Sequence, residues 1–213
     1  MAYAIKEIFY TVQGEGHNAG RPAVFCRFSG CNLWSGREVD RTSAVCQFCD
    51  TDFLGVDGTG GGRFSSPQQL ANAVRSAWPG STARSRRPLV VCTGGEPGLQ
   101  LDGPLVKALH AEGFEIAVET NGTVPLDAEI DWICVSPKAG AELSVRAGGE
   151  LKLVFPQTGA EPEKYISLPF QHFFLQPMDG PRREEYTRQV LEYCLRNPPW
   201  RVSLQAHKYL GIR

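Results

Sequence analysis

The chain has 213 residues, with 22 Lys and Arg against 23 Asp and Glu and a formal net charge of −1. That length suits one domain with a sizeable core or two small ones, and so even a balance gives no basic field with which to hold a nucleic acid. No apolar run reaches bilayer-spanning length, and the start, Met1-Ala-Tyr-Ala-Ile-Lys-Glu7, lacks a basic segment followed by a long apolar one. The expectation is a cytoplasmic protein with no membrane or nucleic-acid partner, whose thiols stay reduced. The short basic run Arg84-Ser-Arg86-Arg87 reads as a solvated loop.

Residues 3–10 alternate loosely and predict an edge strand. Thr11-Val-Gln13-Gly14-Glu15-Gly16-His17-Asn-Ala-Gly20 is a glycine-rich loop. It matches neither the dinucleotide fingerprint nor the P-loop. Its Gln, Glu and His could wrap a small polar ligand, or the segment could be a plain surface turn. Residues 22–28 predict a buried strand. Arg27 inside it needs a partner, with Glu119 a candidate, or an anionic ligand.

This strand runs into Cys31-Asn-Leu-Trp34. After a polar excursion come Cys46-Gln-Phe48-Cys49-Asp50-Thr51, so fourteen residues separate Cys31 from Cys46. A Cys-x-x-Cys turn aims two sulfurs at one centre. Structural zinc and all-cysteine clusters use four protein ligands, and only three cysteines are local. Four readings stay open: a cluster with one uncovered iron, zinc completed by His17 or another distant residue, a redox Cys46–Cys49 pair, or a disulfide. Thr51 reads as a helix N-cap. Cys26, Cys92 and Cys134 sit in apolar runs and Cys194 on a helix face, all packing positions.

Residues 52–64, with Gly58-Thr-Gly60-Gly61-Gly62, read as a mobile connector. Ser65 or Ser66, then Pro67, starts a helix bearing Leu70, Ala73, Val74, Ala77 and Trp78, ended by Pro79-Gly80. Strands are predicted at 88–92, 115–119, 131–135, 150–155, 171–175 and 201–204. One helix carries Leu101, Leu105 and Leu109, and another spans 182–196 before Asn197-Pro198. Strands alternating with helices imply an α/β fold with a mainly parallel sheet, here in one domain, 1–213, whose helical layer is incomplete. Polar clusters end the strands: Thr93-Gly94-Gly95-Glu96, Glu119-Thr-Asn121, Ser136-Pro137-Lys138, Gln176-Pro177-Met178-Asp179 and Gln205-Ala-His207-Lys208. Turns are polar in any protein. In a parallel sheet, however, these clusters share the rim where ligands bind.

Three close cysteines after an early strand, an aromatic residue before the last of them, and Gly94-Gly95-Glu96-Pro97 after the next strand resemble the radical S-adenosylmethionine (SAM) superfamily. The lengthened cysteine spacing, with Phe9-Tyr-Thr-Val-Gln13-Gly-Glu15-Gly and Cys31-Asn-Leu-Trp34, is similar to the 7-carboxy-7-deazaguanine synthase family, over the whole chain. The resemblance implies an incomplete β/α barrel of the radical SAM type. It implies a [4Fe-4S] cluster on Cys31, Cys46 and Cys49, SAM on the open iron, and magnesium on Thr51. Phe48, Asp50, Gly95, Glu96, Ser136, Pro137, Lys138, Gln176, Pro177, Met178 and Asp179 would contact SAM, with Glu96 facing its ammonium. Gln13, Gly14, Glu15, His17, Arg27, Thr93, His207 and Arg213 would hold 6-carboxy-5,6,7,8-tetrahydropterin. The implied reaction is a ring contraction to 7-carboxy-7-deazaguanine with loss of ammonia, in queuosine and other 7-deazapurine biosynthesis. A homodimer and a flavodoxin-like electron donor are implied as well. Two alternatives are an activase that places a glycyl radical on a partner protein and a zinc-binding module without activity.

Overall fold

The computed structural model describes residues 2–80, 87–126 and 129–212. Of the basic run at 84–87 only Arg87 is among them, and Arg213 lies outside them. Among the described residues nine strands form one sheet: β1 (Tyr3–Val12), β2 (Pro22–Phe28), β3 (Gly62–Phe64), β4 (Leu89–Gly94), β5 (Glu115–Thr120), β6 (Trp132–Val135), β7 (Gly148–Phe155), β8 (Phe170–Pro177) and β9 (Trp200–Val202). Their spatial order is β3-β1-β2-β4-β5-β6-β7-β8-β9. From β2 to β9 every neighbouring pair is parallel, and β1 is antiparallel to both its neighbours.

The helices are α1 (Pro67–Ala77), α2 (Gly103–Ala111), α3 (Arg183–Arg196) and α4 (Ala206–Leu210). Ser66 and Asp102 cap α1 and α2 by accepting from the Gln69 and Leu105 amides, and a proline stands in the first turn of each. Such caps contribute about 1 kcal/mol each. Among the described residues the connections β5–β6, β6–β7 and β7–β8 carry no α-helix, so the outer layer is incomplete, as expected. No helix among the described residues is long and apolar enough to cross a membrane.

Side chains alternate between two environments along each strand. Val24, Cys26 and Phe28 of β2, Val90 and Cys92 of β4, and Ile116 and Val118 of β5 pack outward on Leu70, Val74, Leu105 and Leu109 of α1 and α2. Leu151, Leu153 and Leu175 of β7 and β8 pack outward on Val190 of α3. The opposite face begins apolar, with Ala23, Leu89, Val91 and Ala117 against Phe25 and Trp132. It turns polar toward the strand ends.

The sheet is strongly curved. In a flat sheet β1 and β9 would lie seven strand spacings apart, roughly 34 Å at ~4.8 Å each. Here the loop after β1 touches the segment after β9: Ala206 N donates to Gly14 O at 3.0 Å. The polar face is therefore the inside of a partial barrel, and the loop at 13–20 spans its open side.

Four local expectations are corrected. The strand at 3–10 is not an edge, because β3 pairs outside it. The connector at 52–64 supplies β3 and is strapped to β1 by Gly58 N to Lys6 O at 2.9 Å and Ile8 N to Thr59 O at 2.7 Å. No helix follows Thr51, and the predicted last strand stops at Val202, followed by α4. A short helix has too few turns to show a periodic pattern.

Candidate active site

One cavity of about 380 Å³ opens at the carboxyl ends of the parallel strands. It is lined by Gln13, Gly14, Glu15, Arg27, Cys31, Cys46, Phe48, Cys49, Asp50, Thr51, Thr93, Gly95, Ser136, Lys138, Gln176, Pro177, Asp179 and His207, all singled out in the sequence. Strand ends and loops far apart in the chain thus meet at one place.

The rim is built by the cysteine loop. Its start is docked on β4 through the Gly-Gly-Glu segment: Gly95 N donates to Phe28 O at 3.3 Å and Glu96 N to Gly30 O at 2.9 Å. A Cβ on Gly95 would run into the Gly30 carbonyl. Glycine is required there because backbone passes directly over backbone. Cys46 N then donates to Leu33 O at 3.2 Å, returning the loop to its beginning.

The three thiols differ in acidity. A hydrogen bond from Cys49 pulls Cys46 down to about 6 against the effect of burial, with Lys138 adding to it. Cys49 is pushed up by that same bond and by burial. Burial also raises Cys31, partly offset by the amides of Leu33 and Trp34. The pair thus favours a thiolate at Cys46, the form that ligates metal. All seven cysteines are free. Among the described residues no three His, Cys, Asp or Glu side chains meet at single-ion spacing. The zinc site completed by His17 is not formed, because that ring stacks elsewhere. A cube of four irons needs ligands spread wider than donors at ~2.3 Å from one zinc, and three thiols on one cavity wall suit that.

Across the rim, Lys208 of α4 reaches Asp50 at 2.5 Å and Asp179 at 2.6 Å, and Gln205 donates to Asp50 at 3.1 Å. This cross-tie links the cysteine loop, the end of β8 and α4. Gly14 permits it from below, since a Cβ there would fall 2.6 Å from Nδ1 of His207.

The floor is built by strand side chains and the loop at 13–20. Lys152 of β7 is buried and pairs with Glu15 at 2.5 Å and Glu119 at 3.2 Å. Gln13 donates to Glu119 at 2.8 Å and accepts from the Glu15 amide at 3.1 Å. Burial works against the Glu15 carboxylate, but Lys152 outweighs it and holds the pKa below the ordinary range. Burial likewise opposes the Lys152 ammonium, and Glu119 and Glu15 together drive its pKa well up. Lys152 was missed because a lysine among leucines reads as one strand position among many. The available signal was period: Glu150 and Lys152 alternate with Leu151 and Leu153 in a strand buried on both faces. Glu7, Thr120, Asn121 and Lys208 also line the cavity.

Several expected positions or pairings differ. Arg27 pairs with Glu7 at 2.8 Å, not with Glu119. His17 is not in the cavity: its ring stacks between Trp132 (4.6 Å) and His172 (4.5 Å), beneath the floor, and its amide donates to Glu150 at 2.7 Å. Glu96 is fully buried, and its carboxylate accepts from Thr120 Oγ1, the Asn121 amide and the Gly98 amide at 2.7, 2.7 and 2.8 Å. It braces the strand ends rather than facing a ligand. Pro137 and Met178 are absent from the cavity lining. Arg213 falls outside the described residues.

No protein-family model matches the chain. The chain is 60% identical over 212 residues to the 7-carboxy-7-deazaguanine synthase of Caulobacter vibrioides, covering 100% of both. It is 57% identical over 215 residues to that of Nitratidesulfovibrio vulgaris, again covering 100% of both. The crystal structure of QueE from Escherichia coli matches with a TM-score of 0.72 at 29% identity, covering 97% of this chain and 95% of that one. With three cysteines, the docked Gly-Gly-Glu turn and the polar floor around one cavity, and with relatives this similar over their full length, the chain belongs to the 7-carboxy-7-deazaguanine synthase family, within the radical SAM superfamily.

Proposed function

We propose that the chain, as a single domain, catalyses the SAM-dependent radical ring contraction of 6-carboxy-5,6,7,8-tetrahydropterin to 7-carboxy-7-deazaguanine, with loss of ammonia, in 7-deazapurine biosynthesis. The observation that carries this reading is the shared cavity: three thiols on its rim, and Arg27, Gln13 and Glu15 deeper in. Cys31, Cys46 and Cys49 would hold a [4Fe-4S] cluster, which with SAM supplies the radical chemistry when bound. Gly95, Ser136, Lys138, Gln176, Pro177 and Asp179, with Phe48 and Asp50, would orient the SAM. Thr51 would offer magnesium one hard oxygen, leaving most of its shell to substrate and water.

The chain's own residues would do the positioning. Arg27, steadied by Glu7, would face the substrate carboxylate as a charged donor. Glu15 and Gln13 would accept from and donate to the pterin ring edge, with Gly14, Thr93 and His207 completing the wall. The low-dielectric interior strengthens each of these contacts and keeps water from the reacting centre. The reading includes a homodimer, a flavodoxin-like electron donor and a reducing cytoplasm.

The test is turnover of the carboxytetrahydropterin by anaerobically reconstituted protein with SAM and a chemical reductant, and no second protein. Formation of 7-carboxy-7-deazaguanine is expected. SAM cleavage that needs a partner polypeptide, or a colourless preparation that ignores SAM, would contradict it.

A further inference from the structure

The fourteen residues between Cys31 and Cys46 contribute no side chain to the cavity wall other than Leu33. They nevertheless form a self-braced unit. Trp34 is buried and packs edge-on against Phe53, with ring centroids 5.6 Å apart, and its indole N–H donates to Arg37 O at 3.2 Å. Ser35 Oγ donates to Asp40 at 2.6 Å. Glu38–Ser43 is a short 3-10 helix.

The unit delivers one side chain back to the cysteines. The Arg41 guanidinium lies over the Trp34 ring at 4.0 Å. Nε and Nη2 grip the two Glu38 oxygens at 2.8 and 2.5 Å. Nη1 donates to Gln47 O at 3.0 Å and Cys49 O at 3.1 Å. Gln47 in turn donates to Thr42 O at 3.0 Å. A planar cation stacked below, clamped behind and bonded in front has little rotational freedom left. The two carbonyls it holds belong to the Cys46-Gln-Phe-Cys49 turn. No regular helix or strand fixes this turn.

We infer that Arg41 is a positioning residue for the cluster: it replaces missing secondary structure in holding the Cys46–Cys49 turn in ligating geometry. The inference rests on the proposed cluster site. Lysine would keep the charge and one or two bonds, but not the Glu38 fork or the planar stack. Glutamine loses all three.

The test compares wild type, Arg41→Lys and Arg41→Gln after anaerobic reconstitution, following iron release to a chelator together with thermal melts of the iron-free proteins. Glutamine is expected to speed iron release about tenfold, a 1.4 kcal/mol effect, with lysine between. The iron-free melts should differ little, because Arg41 pairs with the exposed Glu38 and ties down a loop rather than the sheet core. Release unchanged in Arg41→Gln overturns the inference, and so does faster release matched by a lower iron-free melting temperature. Wild type that takes up no cluster overturns the proposed function and this inference with it.

Discussion

The rim and the floor of the cavity are held together by opposite means. The rim is loop backbone, braced by hydrogen bonds to glycine-rich turns, by Arg41, and by Lys208 across the opening. The floor is strand side chains, locked by Lys152 between Glu15 and Glu119 in a buried network. A rim of this kind sets half-buried and buried thiols at the cavity wall without a regular helix or strand. A buried ionic floor costs much to build and more to break, and in exchange presents fixed donors and acceptors. The contrast suits a site whose cofactors enter at the mouth and whose substrate is read at the base.

The sharpest way to break the comparison is Lys152→Met. Two part-buried carboxylates then lose their shared, buried cation, and chemical denaturation near neutral pH should show a loss of up to about 3 kcal/mol. The sign of its pH dependence is also fixed. In the wild type the lowered Glu15 pKa gives stability that is present above the ordinary carboxylate value and lost as pH falls through the folded one. Without Lys152, burial is opposed only by the lesser pull of Gln176 and His207, and that pKa rises. The variant's deficit should then shrink as pH falls toward about 4. A deficit equal at both ends of that range contradicts the account of the floor.

Glu96→Gln comes next. Both carboxylate oxygens accept from protein donors, so an amide nitrogen there must face a donor. Melting experiments should show about 1–3 kcal/mol lost. A variant of full stability with weakened SAM binding would instead return Glu96 to the ligand. Lys208→Met should cost about 1 kcal/mol or less, because the cross-tie is partly exposed. Asp179 is lowered by its bond to Lys208, and Asp50 is lowered by the same lysine against burial. The wild-type advantage should therefore vanish as pH falls below 3.8, the ordinary aspartate value. A difference that persists there would place the effect elsewhere. His17→Ala should be the mildest. It removes stacking worth about 0.5–1.5 kcal/mol, and titration should show pterin affinity falling less than in Gln13→Ala. The reverse order would put His17 in the pocket.

The rim was largely legible in the sequence, because loop chemistry is written in short motifs: Cys31, Cys46-x-x-Cys49, Gly94-Gly95. The strands were legible too, from apolar runs with polar ends. The floor was not. Lys152 and Glu119 lie on β7 and β5, two strands apart with β6 between, and no local pattern announces that their side chains meet across it. His17 and Glu96 show the converse limit. Both sit in motifs that point toward ligands, and both are spent on structure, one stacked beneath the floor and the other bracing strand ends. Only the saturation of their contacts reveals it.

The most direct test of the central claim is the iron bound per chain after anaerobic reconstitution of wild type, Cys31→Ala, Cys46→Ala, Cys49→Ala and Cys92→Ala. The account predicts about four irons on wild type and on Cys92→Ala, whose thiol is buried in the outer apolar layer, and no stable cluster on the other three. A full complement on any of those three, or its loss from Cys92→Ala with the fold intact, would contradict it.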